Sequence, residues 1–265
     1  MSFKLRALLL LSALSLASCR GWVLEDRTGC PRLLYFDIEN AGSFEAGTQV
    51  QVHAFAHSDG KPIREAATTV LDIQRRDFGV EIRTGQPVEG YAVVGGETLV
   101  QSGDGLRLPA GNSYAPLFRF SYLTSVPEEY GVLPVELLKE YAGVRLQFVG
   151  ENGPHAVTVR ANTCGLRPDT GEPLQGPFEC RPVIDDEGFY RFNLPRLLDN
   201  RLSLEITGQS GLPEMLDLFK ILKEDGGITW KERSLPDVGL VIDSIERTVV
   251  VQVSPWEWQD LNFEY

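Results

Sequence analysis

The string Leu16-Ala17-Ser18-Cys19 closes an apolar N-terminal run and limits everything that follows it. Lys4 and Arg6 form a basic n-region, residues 7–17 are almost unbrokenly apolar, and small residues stand directly before Cys19. This is the pattern of a secretory leader ending in a lipobox, which predicts acylation of the Cys19 thiol and removal of residues 1–18. The run is shorter than the roughly 20 apolar residues that span a bilayer, so it reads as a leader and not as a transmembrane helix. A chain exported in this way folds outside the cytoplasm and hangs from a membrane by its first residue. One acyl chain anchors only marginally, so stable attachment implies two or more. Arg20, not Asp, follows Cys19. By the sorting rule for lipoproteins this implies an outer-membrane address.

Of the 25 basic residues, Lys4 and Arg6 leave with the leader, so 23 face 37 acidic ones and the mature formal charge is −14. A surface this acidic repels phosphate backbones and anionic lipid, so no nucleic-acid partner is expected and membrane attachment rests on the lipid. Cys30, Cys164 and Cys180 remain besides Cys19. In an oxidising compartment Cys164 and Cys180, which flank a turn-rich stretch, are the candidate disulfide, worth roughly 3 kcal/mol through loop closure. The alternative is three buried reduced thiols. No C-x-x-C occurs, so a zinc ribbon or thioredoxin-like site has no support.

The mature chain reads as strand after strand. Residues 33–38 are apolar and aromatic. Residues 48–56 alternate, with Val50, Val52, Ala54 and Ala56 on one side and Gln49, Gln51, His53 and Phe55 on the other. Residues 88–94 and 98–101 flank Gly95-Gly96, a hairpin-turn signal. Further strands are expected at 117–123, 144–149, 156–161, 189–194 and 202–207, with a final hairpin of 238–243 and 248–253. Residues 135–141 and 213–223 read as short helices. No internal repeat is apparent. The spacing predicts β-sandwiches and an all-β class with short helical insertions, and about 247 mature residues suit one large β domain or two of ordinary size. A boundary near residues 141–144 divides the chain into a leader at 1–18, an N-terminal domain at 19–142 and a C-terminal domain at 143–265.

No set of residues for catalysis emerges. His53 and His57 lie about 13 Å apart on a straight strand at roughly 3.3 Å per residue, too far to share one zinc ion unless the chain bends. His155 follows a Gly-Pro turn. There is no G-x-S-x-G elbow, P-loop or G-x-G-x-x-G fingerprint. The triplet Asp185-Asp186-Glu187 reads as a solvated turn and not as facing carboxylates across a cleft. The expectation is a protein that is not an enzyme and needs no cofactor or metal.

The C-terminus concentrates aromatic side chains: Trp256, Trp258, Leu261, Phe263 and Tyr265, alternating with a one-residue shift in the middle. Three readings stand. The segment is a closing strand of its own sandwich, a strand donated to a neighbour's sheet edge, or an aromatic platform for sugar.

Three stretches together resemble a known family. Glu25-Asp26-Arg27-Thr28-Gly29-Cys30-Pro31 precedes an aromatic strand. Thr170-Gly171-Glu172-Pro173-Leu174 is followed by Gly176-Pro177-Phe178. Leu235-Pro236-Asp237 is followed by Val241-Ile242-Asp243 and then by a late Trp. In order, and behind a lipobox, they resemble the FimB-like fimbrial anchor lipoproteins of Bacteroides-type bacteria. Arg32 stands where the family often has a second Cys. The resemblance implies two tandem β-sandwiches of transthyretin-like topology and a place in a surface fimbria, as anchor or accessory subunit. Other fimbrial subunits would be the partners, joined by donated strands. In polymerising relatives a protease removes the first strand after an Arg. Residues 33–38 would here be a retained first strand, and Arg64 and Arg75-Arg76 are the candidate cleavage positions. A surface glycan-binding or host-adhesion lipoprotein using Trp256, Trp258 or Trp230 is the alternative.

Overall fold

The computed structural model describes residues 31–254 apart from 84–85, 104, 127–129, 151–155, 209–210, 244 and 246–247. The first half opens with β1 (Pro31–Ile38), β2 (Gln49–Ala56), β3 (Pro62–Thr69) and a one-turn helix α1 (Val70–Gln74). It continues through β4 (Val80–Arg83), β5 (Val88–Gly95), β6 (Val100–Ser102), β7 (Gly105–Arg107), β8 (Leu117–Thr124), β9 (Tyr130–Val135) and β10 (Leu138–Lys139). The second half comprises β11 (Tyr141–Val149), β12 (Ala156–Leu166), β13 (Pro173–Cys180), β14 (Tyr190–Pro195), β15 (Leu202–Thr207), β16 (Pro213–Leu216), helix α2 (Leu218–Glu224), β17 (Asp237–Asp243) and β18 (Thr248–Ser254).

Four sheets form, in the orders β4-β1-β9, β10-β8-β5-β2-β3, β14-β11-β17-β18 and β16-β15-β12-β7-β6, with β13 added to β12. The two halves repeat one topology that the residues do not advertise. β1 lies between an antiparallel β4 and a parallel β9, and β11 lies between an antiparallel β14 and a parallel β17. The facing sheets, β8-β5-β2-β3 and β16-β15-β12-β13, match as well. The alternation along β2 buries Val50, Val52 and Ala54 completely while Gln51 stays outside, which is the period-two pattern of a sheet with one face in a core. Two apolar clusters result. One gathers Leu34, Phe36, Val52, Phe120 and their neighbours, and the other gathers Leu146, Val159, Leu204, Trp230 and Leu240.

Several expectations are corrected. Residues 135–141 are not a helix: Leu138–Lys139 is a strand paired with β8, and β11 begins at Tyr141. Residues 213–223 divide into β16 and then α2, whose start Asp217 caps by accepting from the Lys220 amide at 2.9 Å. Gly95-Gly96 does not close a hairpin of β5 with β6. Both glycines take positive φ, and the chain crosses over so that β6 pairs β7, which then pairs β12 of the second half. β13 was read only as turn-rich sequence. Pro173, Gly176 and Pro177 are tolerated there because β13 pairs on one side only, with β12.

Candidate functional site

β1 is the strand that the family resemblance singles out as a retained first strand. Its outward residues are polar or half-exposed, while Leu34, Phe36 and Ile38 are buried. It pairs over Pro31 to Leu34 with β4 and over Leu33 to Ile38 with β9, so the two ladders together run its whole length and overlap at Leu33 and Leu34. The Phe36 ring packs 5.3 Å from Phe120 and 5.0 Å from Tyr122, both on β8 of the facing sheet. Arg32 Nη1 donates to the Val126 carbonyl at 2.6 Å. Just past β1, the Asn40 amide donates to the Leu137 carbonyl at 2.9 Å and its oxygen accepts from the Leu137 amide at 3.1 Å. Removing β1 would therefore open a groove with bare strand edges on both walls and an aromatic floor.

The connector after β9 is held by a buried ion cluster. Glu140 is 1 % exposed, and its two carboxylate oxygens meet Arg119 Nε at 2.8 Å and Arg196 Nε at 2.7 Å. Arg196 also donates to the carbonyls of Trp230, Glu232 and Arg233, and Arg119 Nη2 donates to the Thr170 carbonyl at 3.1 Å. Arg119 stands on β8, Thr170 in the β12–β13 turn and Arg196 just after β14, so one carboxylate ties the first half to the second. Desolvation pulls the Arg119 guanidinium below its ordinary value, with Glu140 opposing. Beside it, Lys139 is buried and ion-pairs with Asp237, with its ammonium 4.5 Å from the centre of the Tyr141 ring. Burial pulls Lys139 down, against the pull of Asp237. Burial, aided by Glu140, pushes the Tyr114 phenol up.

No family model and no curated protein sequence matches the chain. Solved structures do. The fimbrial anchor protein Mfa2 from Porphyromonas gingivalis superimposes with a TM-score of 0.57 at 12% identity, over 86% of this chain and 98% of its own. The chain therefore shares the fold of this anchor protein. A candidate polysaccharide-binding protein of Bacteroides thetaiotaomicron gives 0.62 at 14% identity over 86% of this chain and 96% of its own. A candidate adhesin from the same organism gives 0.60 at 13% identity over 87% and 98%. The all-β class with short helical insertions is therefore the observed one, although α1 stands where no helix was expected.

The remaining candidate residues divide. Cys19, Cys30, His155, Trp256, Trp258, Leu261, Phe263 and Tyr265 lie outside the described residues. The Cys164–Cys180 disulfide is not formed: both thiols are free and buried. Along β12 the partner of Cys180 is Val159, five residues from Cys164, or about 16 Å along a strand, whereas a disulfide needs Cα atoms within about 7 Å. Cys164 instead packs against Gly176 and has Arg107 Nη1 at 3.5 Å, and burial raises the Cys180 thiol. Trp230 is 4 % exposed in the second core, so it offers no sugar platform. His53 stacks on Tyr91, and His57 binds the Glu89 carboxylate at 2.6 Å, so the two go separate ways. Asp185 accepts from the amides of Glu187 and Phe189, and Arg191 pairs with both Asp185 and Glu187. Arg64, Arg75 and Arg76 are exposed, Arg64 on the edge strand β3 and the other two directly after α1.

Proposed function

We propose that this chain is an outer-membrane lipoprotein, tethered through Cys19, that serves as anchor or accessory subunit of a surface fimbria and joins fimbrial subunits by strand donation. The observation that carries the reading is β1. It occupies the centre of its sheet, paired on both sides, with Leu34, Phe36 and Ile38 in the core. A subunit that keeps this strand offers no vacant groove there, so growth of a fibre ends at it and fibre length is limited. The likeness to a fimbrial anchor supports the same reading.

The donor is residues 256–265, which follow directly on β18, the last strand of its sheet. A ten-residue strand supplies several backbone hydrogen bonds at a net ~1 kcal/mol each. Each aromatic anchor that becomes buried adds roughly 1.5–3 kcal/mol. The two sandwiches of this unit are residues 19–142 and 143–265. Deleting residues 256–265 is expected to release fimbriae into the medium while leaving a folded lipoprotein in the outer membrane. Fibres that stay attached at normal length would show that the donor is elsewhere. Labelled palmitate should appear on the wild type and not on Cys19→Ala.

A further inference from the structure

The outer face of the β8-β5-β2-β3 sheet carries a cleft that the assembly role does not use. At one end of this face the second half packs down, through Val93, Leu117 and the Arg119–Thr170 contact. At the other end the face is open and forms a cavity of about 620 Å³, within the range of small-ligand sites. The strand register sets its floor. Across one row stand His53 of β2, Tyr91 of β5 and Ser121 of β8, and in the next row Phe55 stands beside Glu89. His53 stacks on one face of Tyr91, with ring centres 4.6 Å apart and planes 23° apart. On the other flank stands Ser121, small and exposed, and both it and Tyr91 line the cavity. Phe55 extends the apolar floor 6.1 Å away.

The polar groups converge from three separate elements. Glu89 projects from the floor, with one oxygen fixed by His57. Asp169 comes from the β12–β13 turn, which Arg119 holds through Thr170. Gln101 comes from β6, its amide tied to the Gly103 carbonyl at 3.0 Å. Glu89 already binds the His57 ring, and Asp169 lies close enough to Arg119 for its field to raise the guanidinium. Burial, Glu65 and Asp169 push the Tyr91 phenol up, so it stays a neutral donor. An aromatic ring with a small residue on one flank, rimmed by carboxylates, an amide and a hydroxyl, matches a ligand with one apolar face and a rim of hydroxyl donors. A pyranose has that chemistry: its axial C–H face lies on an aromatic ring and its equatorial hydroxyls donate to carboxylates. A cationic side chain fits less well, because Glu89 already binds His57 and Asp169 lies in the field of Arg119.

We propose that this cleft is a saccharide-binding subsite, with Tyr91 as the stacking platform and Glu89 and Asp169 as hydroxyl acceptors. It does not depend on the anchor reading, which is tested by fibre retention. The test is saturation-transfer difference NMR on the full mature chain, probed with methyl α-D-mannopyranoside, methyl β-D-galactopyranoside and N-acetyl-D-glucosamine. At least one probe should receive saturation, strongest at its ring C–H protons. Tyr91→Phe should keep the signal, and Tyr91→Ala should weaken binding at least tenfold. Ser121→Leu, an exposed change that fills the cavity beside Tyr91 without removing the ring, should do the same and covers the case in which Tyr91→Ala fails to fold. Absence of signal from every pyranoside overturns the proposal. So does a signal that survives Ser121→Leu, or one given by N-acetyl-arginine amide in place of the sugars.

Discussion

Glu140 is where the architecture is most exposed to a single change. Glu140→Gln keeps the side-chain shape and one acceptor but removes the negative charge between two guanidiniums. Arg196 retains the carbonyls of Trp230, Glu232 and Arg233, and Arg119 retains Thr170. What remains is a pair of like charges on side chains only 9% and 12% exposed. Removing one partner from a buried ion pair costs about 3–5 kcal/mol, because the surviving charge is left uncompensated. At about 2–4 °C per kcal/mol for a chain of this size, the melting temperature should fall by about 6–20 °C. Differential scanning calorimetry on the mature chain, with urea unfolding as a second measure, reads this directly. Replacing the whole cluster (Arg119→Met, Glu140→Leu, Arg196→Met) should recover most of the loss, since apolar residues of similar volume often substitute for buried ions at no net cost. A Glu140→Gln protein melting within about 2 °C of wild type would mean that the carboxylate is not what joins the two halves.

Other changes follow from the same structure. Phe36→Ala removes the β1 ring that meets Phe120 and Tyr122 and should cost about 3–5 kcal/mol by urea denaturation. A loss below about 1 kcal/mol would mean that β1 is not held by its core side. Gly171→Ala forces a side chain into positive φ and places Cβ 1.8 Å from Arg119 Nη2. It should destabilise by more than the ~1–3 kcal/mol of backbone strain alone, read by thermal melting. Arg201 and then Asn162 hold the Asp199 carboxyl at about 2, below its unfolded value. The stabilisation it adds is therefore complete above about pH 4 and is lost as pH falls toward 2. Asp199→Asn should flatten that part of the stability profile, and an unchanged slope would refute the assignment. Cys164 and Cys180 should alkylate without reductant, but only once the chain is denatured, as peptide mass spectrometry can show.

Which parts of this were legible in the residues follows from how locally each is encoded. β2 and β15 show period-two alternation that sets their faces, and the β17–β18 hairpin is legible as two apolar runs with a short connection. β9 was not legible. It contains Gly131 and Pro134, and it forms only because a parallel partner far upstream, β1, supplies its hydrogen bonds. The Val135 carbonyl accepts from Glu39 on the β1 side, so Pro134, one residue earlier, turns its missing N–H outward to the free edge, where no donor is needed. The ion cluster was invisible for the same reason. Arg119, Glu140 and Arg196 are separated along the chain by whole strands, and no spacing rule links them. The cleft at Tyr91 depends on its register partner on the neighbouring strand β8, Ser121, being small, a property of register and not of any motif.

The repeated topology clarifies why β1 and not another strand is the one to watch. β1 and β11 hold equivalent places, each between an antiparallel and a parallel neighbour. β11 follows directly on β10 through Glu140 and has strand β12 after it, so the chain is held on both flanks and the strand cannot leave its sheet without unmaking the cluster. β1 is the first of the described strands and is followed by β2. Its hold is the sum of two strand edges, the Phe36 socket, Arg32 on Val126 and the Asn40 bridge to Leu137. That makes β1 the strand whose retention can be set by a few side chains, without touching the rest of the fold. Asn40→Ala together with Arg32→Ala removes both side-chain clamps and leaves the ladder intact. Each lost hydrogen bond is worth about 0.5–1.5 kcal/mol. Native-state hydrogen exchange should then show β1 opening ahead of β2, β5 and β8, whose protection stays unchanged. If all four strands lose protection together, β1 is part of one cooperative unit and cannot be retained or exchanged separately.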